Sequence, residues 1–374
     1  MKWLNLLLLI SIAQCSFAQT KLPVVRATSK TVSINDGGFL DKNSWTLSPH
    51  ARPDVYTADR TRKTKWVTFY TDVDSIRIKV KPGTRYNFVI LLNSRDSCFT
   101  QVASAIPPKG QQIAGTTTED TIPFTLTAYN AIGIKAFIND TATFNMHFDL
   151  SSFDFHFTKD VMTKRLKGVN VSKLQLGTMV WYNPHLFTSA VTAHEMDGRI
   201  GWNVFDGKTV EINYDKHLLI IRSRLPKLKG YKKVKIDFMR SLVGAKGTII
   251  AANKKYTGEF IFDTGADQAV IIDSAVAQRQ NLAGLKLLHT TVLRDPRGVK
   301  YETKTVLLPA VGLDKFSLAN VPAMLLTGKN PTGFEVNYFG NDFLKRFNMV
   351  LDFKKDELYI KPNQLQNASF KQGS

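Results

Sequence analysis

The chain has 374 residues and is strongly basic, with 50 Lys and Arg against 31 Asp and Glu and a formal net charge of +19. At 43% hydrophobic residues it is long enough to bury two or three cores, and its 2 cysteines exclude a disulfide-framework protein. The charge is not accompanied by any nucleic-acid-binding motif, so nucleic acid is not an expected partner, and no apolar run beyond the N-terminus is long enough to span a bilayer.

Residues 1–18 read as a secretory signal: Lys2, an apolar stretch from Leu4 to Ala13, then the small-residue exit Ser16-Phe17-Ala18, with cleavage expected before Gln19. Gln14 beside Cys15 fits a lipoprotein box poorly, so the expectation is an exported, periplasmic or extracellular protein without a lipid anchor. Removing the signal leaves Cys98, which cannot form an internal disulfide and has no partner signal around it; it reads as a spectator thiol.

Residues 20–115 read as a small β domain, with strands at 31–34, 66–70, 75–80 and 86–92. Lys81-Pro82-Gly83-Thr84 reads as the turn of a hairpin joining the last two. The domain is a docking module, a cleavable propeptide or a support for the rest of the chain. The short linker-like stretch from Pro107 to Thr118 favours the support. The basic runs at 60–65 and 227–233 read as solvated surface and interlobe linker, with attraction to an anionic cell envelope as the other reading.

The rest of the chain repeats itself. Gly133 to Asp140, followed by Met146-His147-Phe148-Asp149, matches Gly247 to Lys254, followed by Phe260-Ile261-Phe262-Asp263, at a constant spacing of 114 positions (149 to 263). Downstream, Ile200-Gly201-Trp202 matches Phe339-Gly340-Asn341, and Ile212 to Lys216 matches Leu351 to Lys355, at 139 positions (201 to 340). Residues 116–226 and 227–374 are therefore two copies of one lobe. Each reads as hairpin, Asp loop, short helix (158–166 and 274–282), strands, Gly segment and closing strand. With so few helices the chain is expected to be all-β. The second lobe carries about 25 extra residues, and Thr291 to Tyr301 there reads as a hairpin tipped by Asp295-Pro296-Arg297-Gly298.

Phe260-Ile261-Phe262-Asp263-Thr264-Gly265-Ala266-Asp267 resembles the active-site loop of aspartic proteases, both pepsin-like and retropepsin-like. A small β domain ahead of a duplicated lobe is also similar to exported aspartyl-protease-like proteins of Bacteroidetes. The resemblance implies a two-lobed acid-protease-like β-barrel fold following the N-terminal β domain. It implies an endopeptidase in which Asp263 and Asp149 share a proton and activate a water, with no metal or other cofactor. Thr264 would bond across to the opposing loop, Gly265 would let backbone approach the carboxylate, and Ala266 would complete the loop. Asp267 would contact the substrate main chain, and Asp295 and Gly298 would belong to the flap over it. Gly201 and Gly340 would lie against the two Asp loops.

The first lobe departs from this pattern. Leu150 replaces Thr, removing half of the cross-lobe hydroxyl bonding. Ser151 replaces Gly, with strain expected if that position needs positive φ. Ser152 is expected to turn its hydroxyl towards an ionised Asp149. Three outcomes stay open: a working dyad in a monomer, an inactive peptide-binding relative, or a homodimer pairing two second lobes. The seven His residues show no metal-ligand spacing, and His147 reads as structural.

Overall fold

The computed structural model describes residues 22–106, 119–189, 192, 195–251, 254–294, 300–328, 330, 332 and 334–371. The expected signal, the linker and the hairpin tip with Asp295 and Gly298 lie outside them. The chain divides into two compact units: residues up to Ala58 together with Lys63–Ile106, and Asp59–Arg62 together with everything from Pro107 onwards.

The first unit is a pair of four-stranded sheets. One runs Val24–Ala27, Arg85–Leu92, Asp96–Ser104, Asp54–Ala58, the other Phe39–Thr46, Thr31–Asp36, Lys65–Tyr70, Ser75–Val80. Alternate residues of Thr31–Asp36 are buried, as a half-buried strand requires, and Val32, Ile34, Phe69, Ile78 and Phe88 share one core. The hairpin expected at 81–84 is not formed. Ser75–Val80 pairs with Lys65–Tyr70, and Arg85–Leu92 pairs with Asp96–Ser104. The turn is present, with Thr84 N donating to Lys81 O at 3.1 Å, but it passes the chain from one sheet to the other. Cys98 is buried. That burial, helped by the charges of Asp96 and Asp54, pushes its thiol up and keeps it unreactive.

The second unit is all-β and built from two lobes joined by a shared sheet. The first lobe's eight-stranded sheet runs Met179–Tyr182, Lys173–Leu176, Ile132–Ile138, Ala142–Asp149, Gly198–Gly201, Phe155–Thr158, Leu186–Ser189, with Thr125–Leu126 on Ile132–Ile138. The second lobe's runs Ile236–Met239, Leu242–Ala251, Lys254–Asp263, Asn337–Gly340, Val270–Ile272, Phe316–Leu325, Lys300–Leu313, Leu287–Arg294. A six-stranded sheet joins them through the closing strand of each lobe: Phe347–Asp352 pairs antiparallel with Thr209–Asn213, with Ile212 opposite Met349. Phe347–Asp352 is buried at every position, as a strand covered on both faces must be. Phe148, Phe205, Phe262, Phe339 and Met349 belong to a single core that runs through both lobes.

The repeat is a repeat of register. Ala142–Asp149 lies parallel to Gly198–Gly201 with Asp149 opposite Gly201, and Lys254–Asp263 lies parallel to Asn337–Gly340 with Asp263 opposite Gly340. The lobes differ in the hairpin of Leu287–Arg294 with the start of Lys300–Leu313, which accounts for most of the longer second spacing. Among the described residues the first lobe has no counterpart to it. Among the described residues helix is limited to short turns. Ser274–Arg279 starts where the Asp273 carboxylate accepts from Ala275 N at 2.8 Å, and Val161–Arg165 is a single π-helical turn. Among the described residues no helix is long and apolar enough to cross a membrane.

Candidate active site

Phe260, Ile261 and Phe262 are fully buried, so the strand they form ends by delivering Asp263 to the floor of a cleft of about 450 Å³. The chain then turns sharply: Gly265 N donates to Asp263 Oδ1 at 3.0 Å and Ala266 N to Asp263 O at 3.3 Å. The first lobe repeats the turn, with Ser151 N donating to Asp149 Oδ1 at 2.8 Å and Ser152 N to Asp149 O at 3.3 Å. Each loop is pinned by the strand segment beside it. Trp202 N donates to Ser152 O at 3.3 Å, and Asn341 N donates to Ala266 O at 2.9 Å. The glycines at these crossings have no substitute. A Cβ on Gly201 would lie 2.2 Å from Phe153 Cα, and one on Gly340 would lie 2.0 Å from Gln268 O.

Thr264, fully buried, locks the loops together. Its hydroxyl donates to Phe148 O at 2.9 Å and accepts from Leu150 N at 3.1 Å. Both of its hydrogen-bonding directions are used, so Leu150 leaves this hydroxyl with no missing partner; the Leu150 side chain joins the core instead.

The strain expected at Ser151 does not arise, because neither Ser151 nor Gly265 is among the residues with positive φ. Glycine at 265 leaves room for His147: a Cβ there would stand a tight 3.0 Å from its Nε2. Ser151 has space for a side chain, and its hydroxyl donates to Asp149 Oδ1 at 2.7 Å. Ser152 does not play this part; its hydroxyl faces Phe153 O at 3.5 Å. Asp267 lines the cleft, but its Oδ1 already accepts from Asn130 Nδ2 at 2.8 Å and pairs with Lys371 at 3.4 Å.

His147, read from the sequence as structural, stands in the site itself. It is buried and turned into the cleft, with Nε2 3.5 Å from Asp149 Oδ2 and Nδ1 3.0 Å from the Thr192 hydroxyl, which itself donates to Gly198 O at 3.2 Å. The signal was present. Residues two apart on a strand share a face, so His147 stands on the face of Asp149.

These neighbours split the two carboxyls. Burial raises both. At Asp263 it is reinforced by the charge of Asp149, and together they push that carboxyl up to about 7. At Asp149 burial is outweighed by the hydrogen bond and charge of His147 and by the Ser151 hydroxyl and amide, which hold it below the usual carboxylate range. The Ser151 hydroxyl acts on both carboxyls. One carboxylate and one carboxylic acid, lining one cleft and both acted on by the Ser151 hydroxyl, can take a proton and give one in the same step.

No family model matches the chain, and no curated protein matches it in sequence. Among solved structures, the crystal structure of the aspartic proteinase from Irpex lacteus is similar at 13% identity with a TM-score of 0.47, over 68% of this chain and 100% of that one.

Proposed function

We propose that the chain is an exported aspartic-type endopeptidase acting as a monomer on extended peptides. The observation that carries this reading is the matched pair of Asp loops, locked within one chain by Thr264, with their carboxyls driven apart in acidity. Asp149, held ionised by His147 and Ser151, takes a proton from a water lying between the carboxyls. That water attacks the peptide carbonyl, and Asp263, protonated, donates to the oxygen on which charge develops. Collapse of the tetrahedral adduct passes a proton to the leaving amine. The signal-like residues 1–18 support export.

The test is hydrolysis of an unfolded protein substrate by the full chain across pH 3–8. Cleavage is expected from acid pH up to near neutrality and is expected to fall as pH passes about 7, where Asp263 gives up its proton. A folded protein with no turnover anywhere in that range would leave the second reading, a peptide-binding relative without catalysis. The observation on its side is Leu150, which offers no hydroxyl for the return half of the lock.

His147→Gln should move both limbs of the pH profile of kcat/KM upwards. His147 holds both carboxyls down, at Asp149 by a hydrogen bond as well as by charge, so its removal raises both apparent pKa values. The dyad titrates as a pair, and the shift is to be read on the whole bell rather than assigned to one Asp. A profile superimposable on the wild type would reduce His147 to packing.

A further inference from the structure

The first lobe's wall of the cleft carries a row of nitrogen-bearing side chains set by strand register. His147 is opposite Arg199, Arg199 is opposite His156 and His156 is opposite Phe187, so the four are cross-strand neighbours on one face of the sheet. The row begins beside Asp149. At its far end the His156 ring stacks on Phe187, with centroids 5.2 Å apart and planes 22° apart.

Arg199 lines the cleft, and no hydrogen bond or ion pair among the described residues engages its guanidinium. Its Nε is buried without a partner, as is His156 Nδ1 next to it. Burial, then the charge of Arg199, pulls the His156 imidazole down, so the ring beside Arg199 resists taking up a second positive charge.

The acids that could have matched it are occupied. Asp197, two residues earlier, binds Arg165 at 2.6 Å and Asn145 N at 2.8 Å. Asp154 accepts from Asn203 Nδ2 at 2.7 Å, and Asp149 is held by Ser151 and His147. On the opposite wall His289 also has a buried Nδ1 with no partner. A planar, permanently charged donor fork left unmatched in a concave site is built for a carboxylate.

We propose that Arg199 is a carboxylate-binding subsite, so that the cleft selects extended peptides bearing a carboxylate on the first-lobe side. The carboxylate comes from a Glu or Asp side chain or from the peptide's C-terminus. The assignment rests on the reading of the cleft as a peptide site, and it sets specificity rather than chemistry.

The experiment uses the full chain carrying Asp263→Asn, so that peptides are bound and not consumed. Affinities are measured by fluorescence anisotropy for labelled decapeptides with one apolar core. Glu or Gln is placed at each flanking position in turn, and each peptide is made with a free and an amidated C-terminus. A Glu-over-Gln preference of about tenfold or more at one position identifies a side-chain carboxylate; the same preference for the free over the amidated end identifies a terminal one. Adding Arg199→Gln should erase the preference while leaving the neutral peptides bound as before, which also shows that the variant is folded. Arg199→Lys should retain part of it, and the preference should shrink with added salt. Equal binding of charged and neutral peptides, or a preference that survives Arg199→Gln, overturns the assignment. Failure of every peptide to bind overturns the peptide-site reading, and the subsite with it.

Discussion

Asp263→Asn is expected to lower peptide cleavage by roughly a thousandfold or more, the scale on which a positioned acid or base acts. Asp149→Asn is expected to do the same. Equality of the two losses is the informative part. Thr264 bonds to Phe148 O and Leu150 N of the same chain, so the first lobe occupies the place that a second copy's loop would need in a homodimer. Loss in the Asp263 variant alone would rule out this pairing. The stability of the Asp263 variant should move the other way. A carboxyl whose folded-state pKa is raised keeps its proton in the native state after the unfolded chain has lost it, so stability falls as pH rises from the usual carboxylate range to about 7. Asn has no proton to lose. The variant should therefore unfold at higher urea than the wild type at pH 8 and show little or no gain at pH 3. A variant that is inactive and also less stable at pH 8 would indicate damage to the loop rather than removal of an acid.

The sequence carried the placement of the two Asp loops because the repeat encodes register: one spacing sets each Asp at the end of its strand, the other sets each Gly beside it. It carried Thr264 because a buried hydroxyl between two loops needs a donor and an acceptor, and the backbone supplies both. It did not carry the division of labour between the two serines. Ser151 and Ser152 differ only in which way a tight turn points them, and that depends on the opposing loop, where Gly265 leaves room for His147. The turn at 81–84 was legible as a turn, but whether a turn closes a hairpin or changes sheets is decided by what pairs with the strands on either side, here Lys65–Tyr70 and Asp96–Ser104. In the basic run at 60–65, Arg62, Lys63 and Thr64 are exposed as a solvated surface requires, and Arg60 alone departs from it. Nothing local marks Arg60 as buried, since its acidic partners lie 146 and 296 positions away.

That one buried cation carries the largest expected change in stability. Arg60 has 1% of its side chain exposed and forms a fork on Asp206, with Nη1 to Oδ2 at 3.0 Å and Nη2 to Oδ1 at 2.6 Å. It also donates to Asp356 Oδ1 from Nε at 3.0 Å and to Phe353 O at 2.9 Å, and it lies 5.1 Å from the Trp202 ring centroid. Burial works against the charge, but the two aspartates outweigh it and hold the guanidinium above its usual pKa. Asp206 belongs to the first lobe and Asp356 to the closing hairpin of the second, so this cation bridges the lobes of its unit.

Arg60→Ala leaves two nearly buried carboxylates facing a void, with only Arg62 still on Asp356, and should cost about 3–5 kcal/mol in urea unfolding. Arg60→Lys, which keeps the charge and loses the fork, should fall between. Replacing Arg60, Asp206 and Asp356 together by Met, Asn and Asn should recover much of the loss, because the penalty comes from the charges left behind. A change below about 1 kcal/mol for Arg60→Ala would show that water reaches the site and satisfies the aspartates. A processed form beginning at the linker would lack Arg60 altogether and should carry the same penalty, since Asp206 and Asp356 would again be left without it.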